Sequence, residues 1–453
     1  MGNLIGSLLS TAGAMRVFER GLTTTQNNVV NANTPGYAKQ RQGIEAKRFE
    51  PDLNILGGVA AGGLTNYRDA FSERNVQRRS SQASVEQQRS ASLSSIEALY
   101  AIGQGAGIPG ALNKFFNAFS QLTVAPNDSA SRQVALDRAS DVSFNFRRTA
   151  NQLLEERGST QLTLAASVTQ VNEIAGRIRD LNASRRGNSQ SGSDPGSESK
   201  LYAALEELSQ LVDFNAIISP DSGVSVYLGG QSLLVIGDRQ YNISSDVLDN
   251  KVRLLNSDGQ EITRELSGGK IAGLVDVYNN KLPGYIDNLN TLAASFAQSV
   301  NLALSQGVDQ NGNPPLQDLF SYDPTYGAAY TIGTANLTTD QLALAATGEP
   351  GGNTNAIAIS QLAQQKSIGG QSFQQYYGTI AGTVGRDLSN AKSTFEIQGD
   401  LLSQAKALRS ELQDVSLDEE AAQMIQYQRA YQASAQLFKT INDMTETVMS
   451  LIR

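Results

Sequence analysis

Cysteine, histidine and tryptophan are all missing from the 453 residues. Without cysteine there are no disulfides, thiolate nucleophiles, cysteine-held zinc sites or iron–sulfur clusters. Without histidine the commonest general base, triad partner and transition-metal ligand are gone. Histidine-dependent hydrolases, zinc peptidases and His-ligated haem proteins are thereby excluded. Only chemistry run by carboxylates, lysine, tyrosine or a bound cofactor survives. Charge is scarce too, at 18%, and aromatics stand at 6%, so Ser, Thr, Asn, Gln and Gly must cover much of the surface. The balance of 36 basic against 44 acidic groups leaves −8, which argues against electrostatic nucleic-acid binding. No stretch approaches the ~20 apolar residues of a membrane span. The start, Met1-Gly2-Asn3-Leu4-Ile5-Gly6, has neither a cationic n-region nor an unbroken apolar h-region, and Gly6 breaks the myristoylation pattern. Composition taken alone suggests cytoplasm, with export lacking a cleaved signal left open.

What is present is helical patterning on a large scale. At roughly 100–200 residues per domain the chain has room for two to four. The first segment carries Leu4, Leu8, Ala12, Met15, Phe18, Leu22 and Val29 at spacings of three, four or seven. These draw a narrow stripe on one helix face. Pro35-Gly36 should end that helix within 31–36. Residues 37–66 read as irregular or short β structure, and helical spacing returns over 69–102. A loop is expected at 103–110, a helix at 111–124, and after a turn at 126–128 a helix over 129–184. If unbroken at Gly158 and Gly176, that rod would be ~84 Å long. Residues 187–196 have the composition of a flexible linker.

A short helix over 201–212 precedes strand texture at 214–218, 224–228, 233–236, 241–243 and 251–255. A turn at 257–260 should then lead into a strand at 261–266. Helices follow at 271–304 and 372–411, separated by a Gly/Asn/Pro/Thr-rich region over 305–354. The last segment, 416–453, repeats the stripe of the first through Met424, Tyr427, Tyr431, Ala435, Phe438, Ile441, Val448 and Leu451.

The expected fold is mainly α with an inserted small β domain. It is a long antiparallel helical bundle, its N- and C-terminal helices paired as a coiled coil and the β domain outermost. The implied division is 1–68 with 413–453 as a terminal assembly domain, 69–212 with 270–412 as the helical bundle, and 213–269 as the β domain. Terminal helices with only each other for company bury little apolar area, which favours packing against further copies. Tyr427 and Tyr431, at i and i+4, fit either that role or packing within the pair.

Three chemical signatures have simpler readings. Gly105-Ala106-Gly107-Ile108-Pro109-Gly110 matches the dinucleotide-loop spacing, but a helix precedes it where a strand is required. Asp309-Gln310-Asn311-Gly312-Asn313 places its Gly fourth, whereas a calcium loop needs it sixth. Asp418-Glu419-Glu420 could offer paired carboxylates, but consecutive acids on a helix diverge, and at its first turn they offset the macrodipole.

Two longer motifs carry a family resemblance. Asn27-Asn28-Val29-Val30-Asn31-Ala32-Asn33-Thr34-Pro35-Gly36-Tyr37 resembles the N-terminal signature of the flagellar axial proteins, the rod, hook, hook-associated and filament subunits. Leu417-Asp418-Glu419-Glu420 with Tyr427-Gln428-Arg429-Ala430-Tyr431-Gln432 resembles their C-terminal one. Asn33, Thr34, Pro35, Gly36, Tyr37, Asp418, Glu419, Glu420, Gln428 and Gln432 are the signature positions carried over. Phe115-Phe116-Asn117-Ala118-Phe119, Pro126-Asn127-Asp128 and Ser131-Arg132-Gln133 resemble the hook–filament junction branch. The region 321–355 is too short for the further outer β domain of many relatives.

The resemblance implies a secreted, extracellular structural subunit at the hook–filament junction, with no catalytic residue, metal or cofactor. It implies unfolded export by the flagellar type III apparatus, a chaperone on the C-terminal helix, and a ring of about eleven copies at the distal end of the hook. Hook protein and hook-associated protein 3 would be its neighbours, without membrane insertion or nucleic acid. The stripes would form the assembly interface, their ends disordered in the monomer until packing supplies the ordering energy. The alternatives are a hook or distal-rod subunit and, from another class, a carboxylate-based wall hydrolase.

Overall fold

The computed structural model describes residues 2–50, 55–100, 105–187, 195–219 and 223–451. Helix α1 (Gly2–Asn31) ends as expected before Pro35, and Gly36 turns the chain with φ +74°. The stretch after it is regular. Strands β1 (Gln40–Ala46) and β4 (Val59–Asn66) pair antiparallel, and β2 (Phe49–Glu50) pairs with β3 (Ile55–Leu56) farther out. This ribbon lies back along α1, where the Ser10 hydroxyl donates to the Gly57 carbonyl at 3.3 Å.

Helix α2 (Ala70–Leu99) starts at Asp69, whose carboxylate accepts from the Ser72 N–H at 2.7 Å. Helix α3 (Gly107–Leu122) begins inside the expected 103–110 loop, with Pro109 in a first turn where a missing N–H costs nothing. Helix α4 (Ser129–Gly187) is unbroken at both glycines, 59 residues or ~88 Å. Asp128 caps it through the Ser131 N–H and hydroxyl. Helix α5 (Pro195–Leu211) follows; most of the expected linker, 188–194, lies outside the described residues.

Strands β5 (Phe214–Ser219), β6 (Gly223–Leu228), β7 (Ser232–Ile236) and β8 (Arg239–Gln240) form one antiparallel sheet in that order. A hairpin forms where none was expected. It joins β9 (Ser244–Leu248) to β10 (Lys251–Leu255) through Asp249 and Asn250, both at positive φ. Asp and Asn tolerate that conformation, which matches the twist of a two-residue hairpin. The 257–260 turn exists, but after it only Glu261 bridges Leu255, and 241–243 forms no strand.

The helix expected over 271–304 is interrupted. Between α6 (Gly269–Asp276) and α7 (Leu282–Ser305) lies a π-helical stretch, Val277–Lys281. Pro283 has no N–H for the Asn279 carbonyl, so the ladder slips and Leu282 N–H reaches Val277 instead. Short paired strands and α8 (Ala328–Thr331) and α9 (Thr354–Gln361) occupy the next region. Helix α10 (Phe373–Gln413) opens with a capping box, Ser372 with Gln375, and α11 (Leu417–Leu451) completes the described chain.

Two cores result. In one, Phe115, Phe116, Phe296, Phe320 and Phe373 stack edge and face among α3, α7, α10 and the first half of α4. In the other, the second half of α4 and α5 cover the inner faces of β6, β7 and β10. The strands thus have no core of their own and use helical surface from α4. The all-helical core takes the C-terminal end of α2, whereas α6 runs beside its middle, at Val85, Gln88 and Arg89, and the β5 end beside its N-terminal half.

Candidate assembly surface and its root

The two signature motifs meet at one place, the root of the terminal helix pair. Asn28, buried in α1, uses its whole amide. Its Oδ1 accepts from the Tyr37 hydroxyl at 2.8 Å and the Gln40 N–H at 3.1 Å. Its Nδ2 donates to the Gln40 carbonyl at 2.8 Å and to Glu420 of α11 at 3.1 Å. Asn27 donates to the Tyr37 hydroxyl, Asn31 reaches back to Asn27, and Thr34 donates to Asn31. Lys39 pairs with Glu419 at 3.0 Å, holding that carboxyl below its usual range. Burial first, and then the Glu420 charge, push the Tyr37 hydroxyl up to about 12. The Asn-rich run is therefore a hydrogen-bond relay that clamps α1, β1 and α11 together.

Behind the clamp lies an ion network. Arg68, only 5% exposed, reaches Glu73 and the Gly36 carbonyl, each at 2.5 Å, and stacks over the Tyr202 ring at 3.8 Å. Arg409 of α10 bridges Glu73 and Glu206, and Lys406 also meets Glu206 at 2.9 Å. Gln413, with its amide turned to satisfy both atoms, donates to Glu73 and accepts from the Asp69 N–H. With Glu198 facing Arg68, three cations balance three carboxylates. Gly36 is required here: a side chain would meet the Ser199 carbonyl at 2.4 Å in a conformation L residues avoid.

The network gives the root a pH dependence. Burial raises the Glu206 pKa, but hydrogen bonds from Arg409 and Lys406 outweigh it, and the net shift is downward. A depressed carboxyl contributes stability above its ordinary pKa and loses it as the pH falls through the lowered folded value. Hydrogen exchange of residues 405–415, measured from pH 7 down to pH 3, should therefore accelerate at the acid end beyond the intrinsic rate. Tyr37, raised from 10.0 to about 12, works the opposite way: its contribution is complete below pH 10 and is lost as the pH rises to about 12.

Beyond the root, α11 lies along α1. Tyr427 packs its ring so close to Gly21 that a Cβ there would stand 2.9 Å away. Of the stripe residues, Leu4, Leu8, Ala12, Met15 and Leu22 are half-buried on α1, and Met424, Tyr427, Tyr431, Ala435, Phe438, Ile441 and Val448 half-buried on α11. On α11 they share the face of Tyr427, but the most buried positions of α1 are Val17, Gly21, Thr25 and Asn28, on the face that meets Tyr427 and Glu420 and to one side of the stripe. Val29 is exposed, and Leu451 lies outside the residues whose side chains are described. The signature Asn33, Thr34, Pro35, Asp418, Gln428 and Gln432 are exposed too. A second set of apolar side chains, outside the stripe, faces away: Ile5, Leu9 at 66%, Ile425, Leu437 at 58%, Met444 and Met449. Sequence reasoning passed over them because they fall off the best single period. Asn28, Arg68 and Gln413 were missed as well; only the motif spacing pointed to the first.

The chemical signatures resolve simply. Gly107 and Pro109 belong to α3, and α2 precedes them. Asp309 accepts from the Asn311 and Asn313 N–H groups, both at 2.8 Å, an Asx turn. Glu419 and Glu420 are engaged with Lys39 and Asn28. Among the described residues no acidic cluster could hold a metal ion, and no helix is long and apolar enough to cross a membrane.

Comparison with known proteins points one way. A family model described as the flagellar hook-associated protein FlgK helical domain matches residues 93–320. One described as flagellar basal body rod FlgEFG protein C-terminal matches 409–451. Flagellar hook-associated protein 1 of Bacillus subtilis strain 168 is 25% identical over 488 residues, covering 96% of each chain. That of Salmonella typhimurium strain LT2 is 22% identical over 558, covering all of both. An alignment longer than this chain means that the Salmonella protein carries stretches without counterpart here. A solved structure, the flagellar hook junction protein FlgK from Burkholderia pseudomallei, shares the fold. Its TM-score is 0.67 at 16% identity, over 75% of this chain and all of that one.

Proposed function

The chain belongs to the flagellar hook-associated protein FlgK family, whose helical-domain model spans half of it, and from that premise we propose that it is a structural subunit joining hook to filament in the bacterial flagellum. The observation that carries the reading is the pairing of the two chain ends on a buried clamp, with apolar side chains facing outward from both helices. A helix pair left in this state gains by packing against copies of itself.

The finer parts of the proposal follow. The chain is exported unfolded by the flagellar type III apparatus, with a chaperone holding the C-terminal helix beforehand. It adds at the distal end of the hook as a ring of about eleven copies. Hook protein lies below the ring and hook-associated protein 3 above. Residues 1–68 with 413–453 form the assembly part, 69–212 with 270–412 the helical bundle around it, and 213–269 the outer β part. Packing beyond the seam completes the order of the free helix ends, so the monomer does not polymerise early. The residues of both the seam and the outward faces carry assembly, the former by holding the pair and the latter by meeting neighbours.

A hook or distal-rod subunit is the second reading, because the C-terminal match is to rod proteins; the helical-domain match over 93–320 favours the junction. The wall-hydrolase alternative is not supported: its best acids are engaged at the root, and the matched relatives are named as flagellar hook-associated proteins. Epitope-tagged protein, expressed in a strain lacking its own copy, should be found by immunogold in one band between hook and filament. Label along the hook, or open-ended polymers grown from the pure chain, would overturn the junction reading in favour of the second.

A further inference from the structure

We propose that the cleft between α2 and the free edge of β5 is a strand-addition site for an extended acidic peptide segment. Among the described residues, strand β5 is the end of its sheet and pairs only with β6. The hydrogen bond from Gly229 N–H to the Asp213 carbonyl makes 213 and 229 a bonded pair. By the alternation of an antiparallel ladder, 214, 216 and 218 then turn their N–H and C=O groups to the free edge. Among the described residues no hydrogen bond reaches those groups.

The edge does not face open solvent; it forms one wall of a cleft. Helix α2 supplies the opposite wall and α5 the floor, in two contiguous lobes of about 380 and 460 Å³. The first lobe sets apolar Ala70, Leu205, Ile217 and Ile218 beside polar Arg74, Gln77 and Asn215. The second presents Arg74 and Arg78, one helical turn apart. A helix set beside an unpaired strand is the arrangement that accepts a peptide as an additional strand, where backbone bonds supply affinity and the wall side chains choose the sequence.

Charge names the occupant. Of the carboxylates that also line the cleft, Glu73 is neutralised by Arg68 and Arg409, whereas Asp213 is held by the Ser267 N–H and hydroxyl and keeps its charge on the strand side, away from the face of α2. Arg74 and Arg78 form no ion pair among the described residues. The side chains of an added strand that face α2 therefore meet net positive charge, and acidic residues at alternate positions satisfy it. Basic segments are repelled. The inference is independent of the junction role and would stand if that role failed.

The test uses the full chain and a fluorescein-labelled octapeptide alternating valine and glutamate, capped at both ends. Fluorescence anisotropy in low salt should show saturable binding that weakens in 0.5 M NaCl. The Arg74→Glu/Arg78→Glu chain should bind at least about tenfold more weakly, since both residues are exposed and their loss leaves the fold intact by circular dichroism. Ala216→Pro removes one outward N–H and should weaken binding similarly while β5 stays paired with β6. A peptide N-methylated at alternate residues should fail to bind. Equal binding of the lysine counterpart, or indifference to all these changes, would overturn the proposal. So would self-association of the unlabelled chain that Arg74→Glu abolishes, because the cleft would then serve a second copy.

Discussion

An Asn28→Ala chain is expected to lose its root while both inner cores remain folded. The substitution deletes four hydrogen bonds at once and leaves the Tyr37 hydroxyl, the Gln40 N–H and carbonyl and one Glu420 oxygen without that partner. Each buried polar group left unsatisfied costs about 1–3 kcal/mol, and water entering the space recovers part of it, for a net loss of about 3–5 kcal/mol. That loss falls on the local opening of the clamp, because neither hydrophobic core includes Asn28. Amide exchange at Gln40 and through 34–39 should accelerate by about 10² or more, while protection in α3, α4 and α7 holds. Cells carrying only this variant should not swim. Unchanged exchange around Gln40 would refute the clamp. Asn28→Asp is a sharper control: it keeps the shape but replaces a donor to Glu420 with a second negative charge, and should fare no better.

The second large effect concerns the outward faces. Leu9 and Leu437 are mostly exposed, so changing both to Asp should move the monomer's unfolding free energy by less than about 0.5 kcal/mol for each site. If these faces meet neighbouring copies, two buried charges per subunit stop assembly outright, and motility should fall to zero. The seam behaves differently. Phe438→Asp places a carboxylate at the half-buried seam between α1 and α11, so it should loosen the pair in the isolated chain as well as abolish assembly. Comparing hydrogen exchange of α11 in the two variants separates neighbour contact from pair formation. Normal filament attachment by the Leu9→Asp/Leu437→Asp chain would show that another surface carries assembly.

Much of this architecture was legible because helices advertise themselves. The two terminal helices, the Pro35-Gly36 stop and the helix starts near 129 and 372 each follow from local chemistry, and the structure keeps them. The terminal motifs were legible as a resemblance, and the relay from Asn27 to Tyr37 now gives their asparagines a physical reason. Errors arose where local signals tie. Gly-Pro-Gly composition at 105–110 reads as loop, yet Pro in a first turn is compatible with a helix. The turn expected at Asp258-Gly259 forms, but the longer hairpin at Asp249-Asn250 was not expected, because both sites favour positive φ and only strand pairing decides how far each ladder runs. Pro283 was visible, but whether a proline breaks, kinks or opens a π turn depends on what the neighbouring helices hold in place.

The sequence by itself determined that no thiol or imidazole chemistry is possible, that long helices dominate, and that both ends are amphipathic. Composition and periodicity are local properties, and helices satisfy their backbone within themselves. The tertiary structure alone decided which face of each terminal helix forms the pair and which stays outward, since both faces carry apolar residues. It also decided that the second half of α4 supplies the β strands with a core, and that Asn28, Glu420, Arg68 and Arg409 converge on one root. Asn28 and Glu420 stand 392 positions apart, and no periodicity reports a contact at that range. Burial and buried hydrogen bonds are relations between distant segments, and they exist only once the chain has closed on itself.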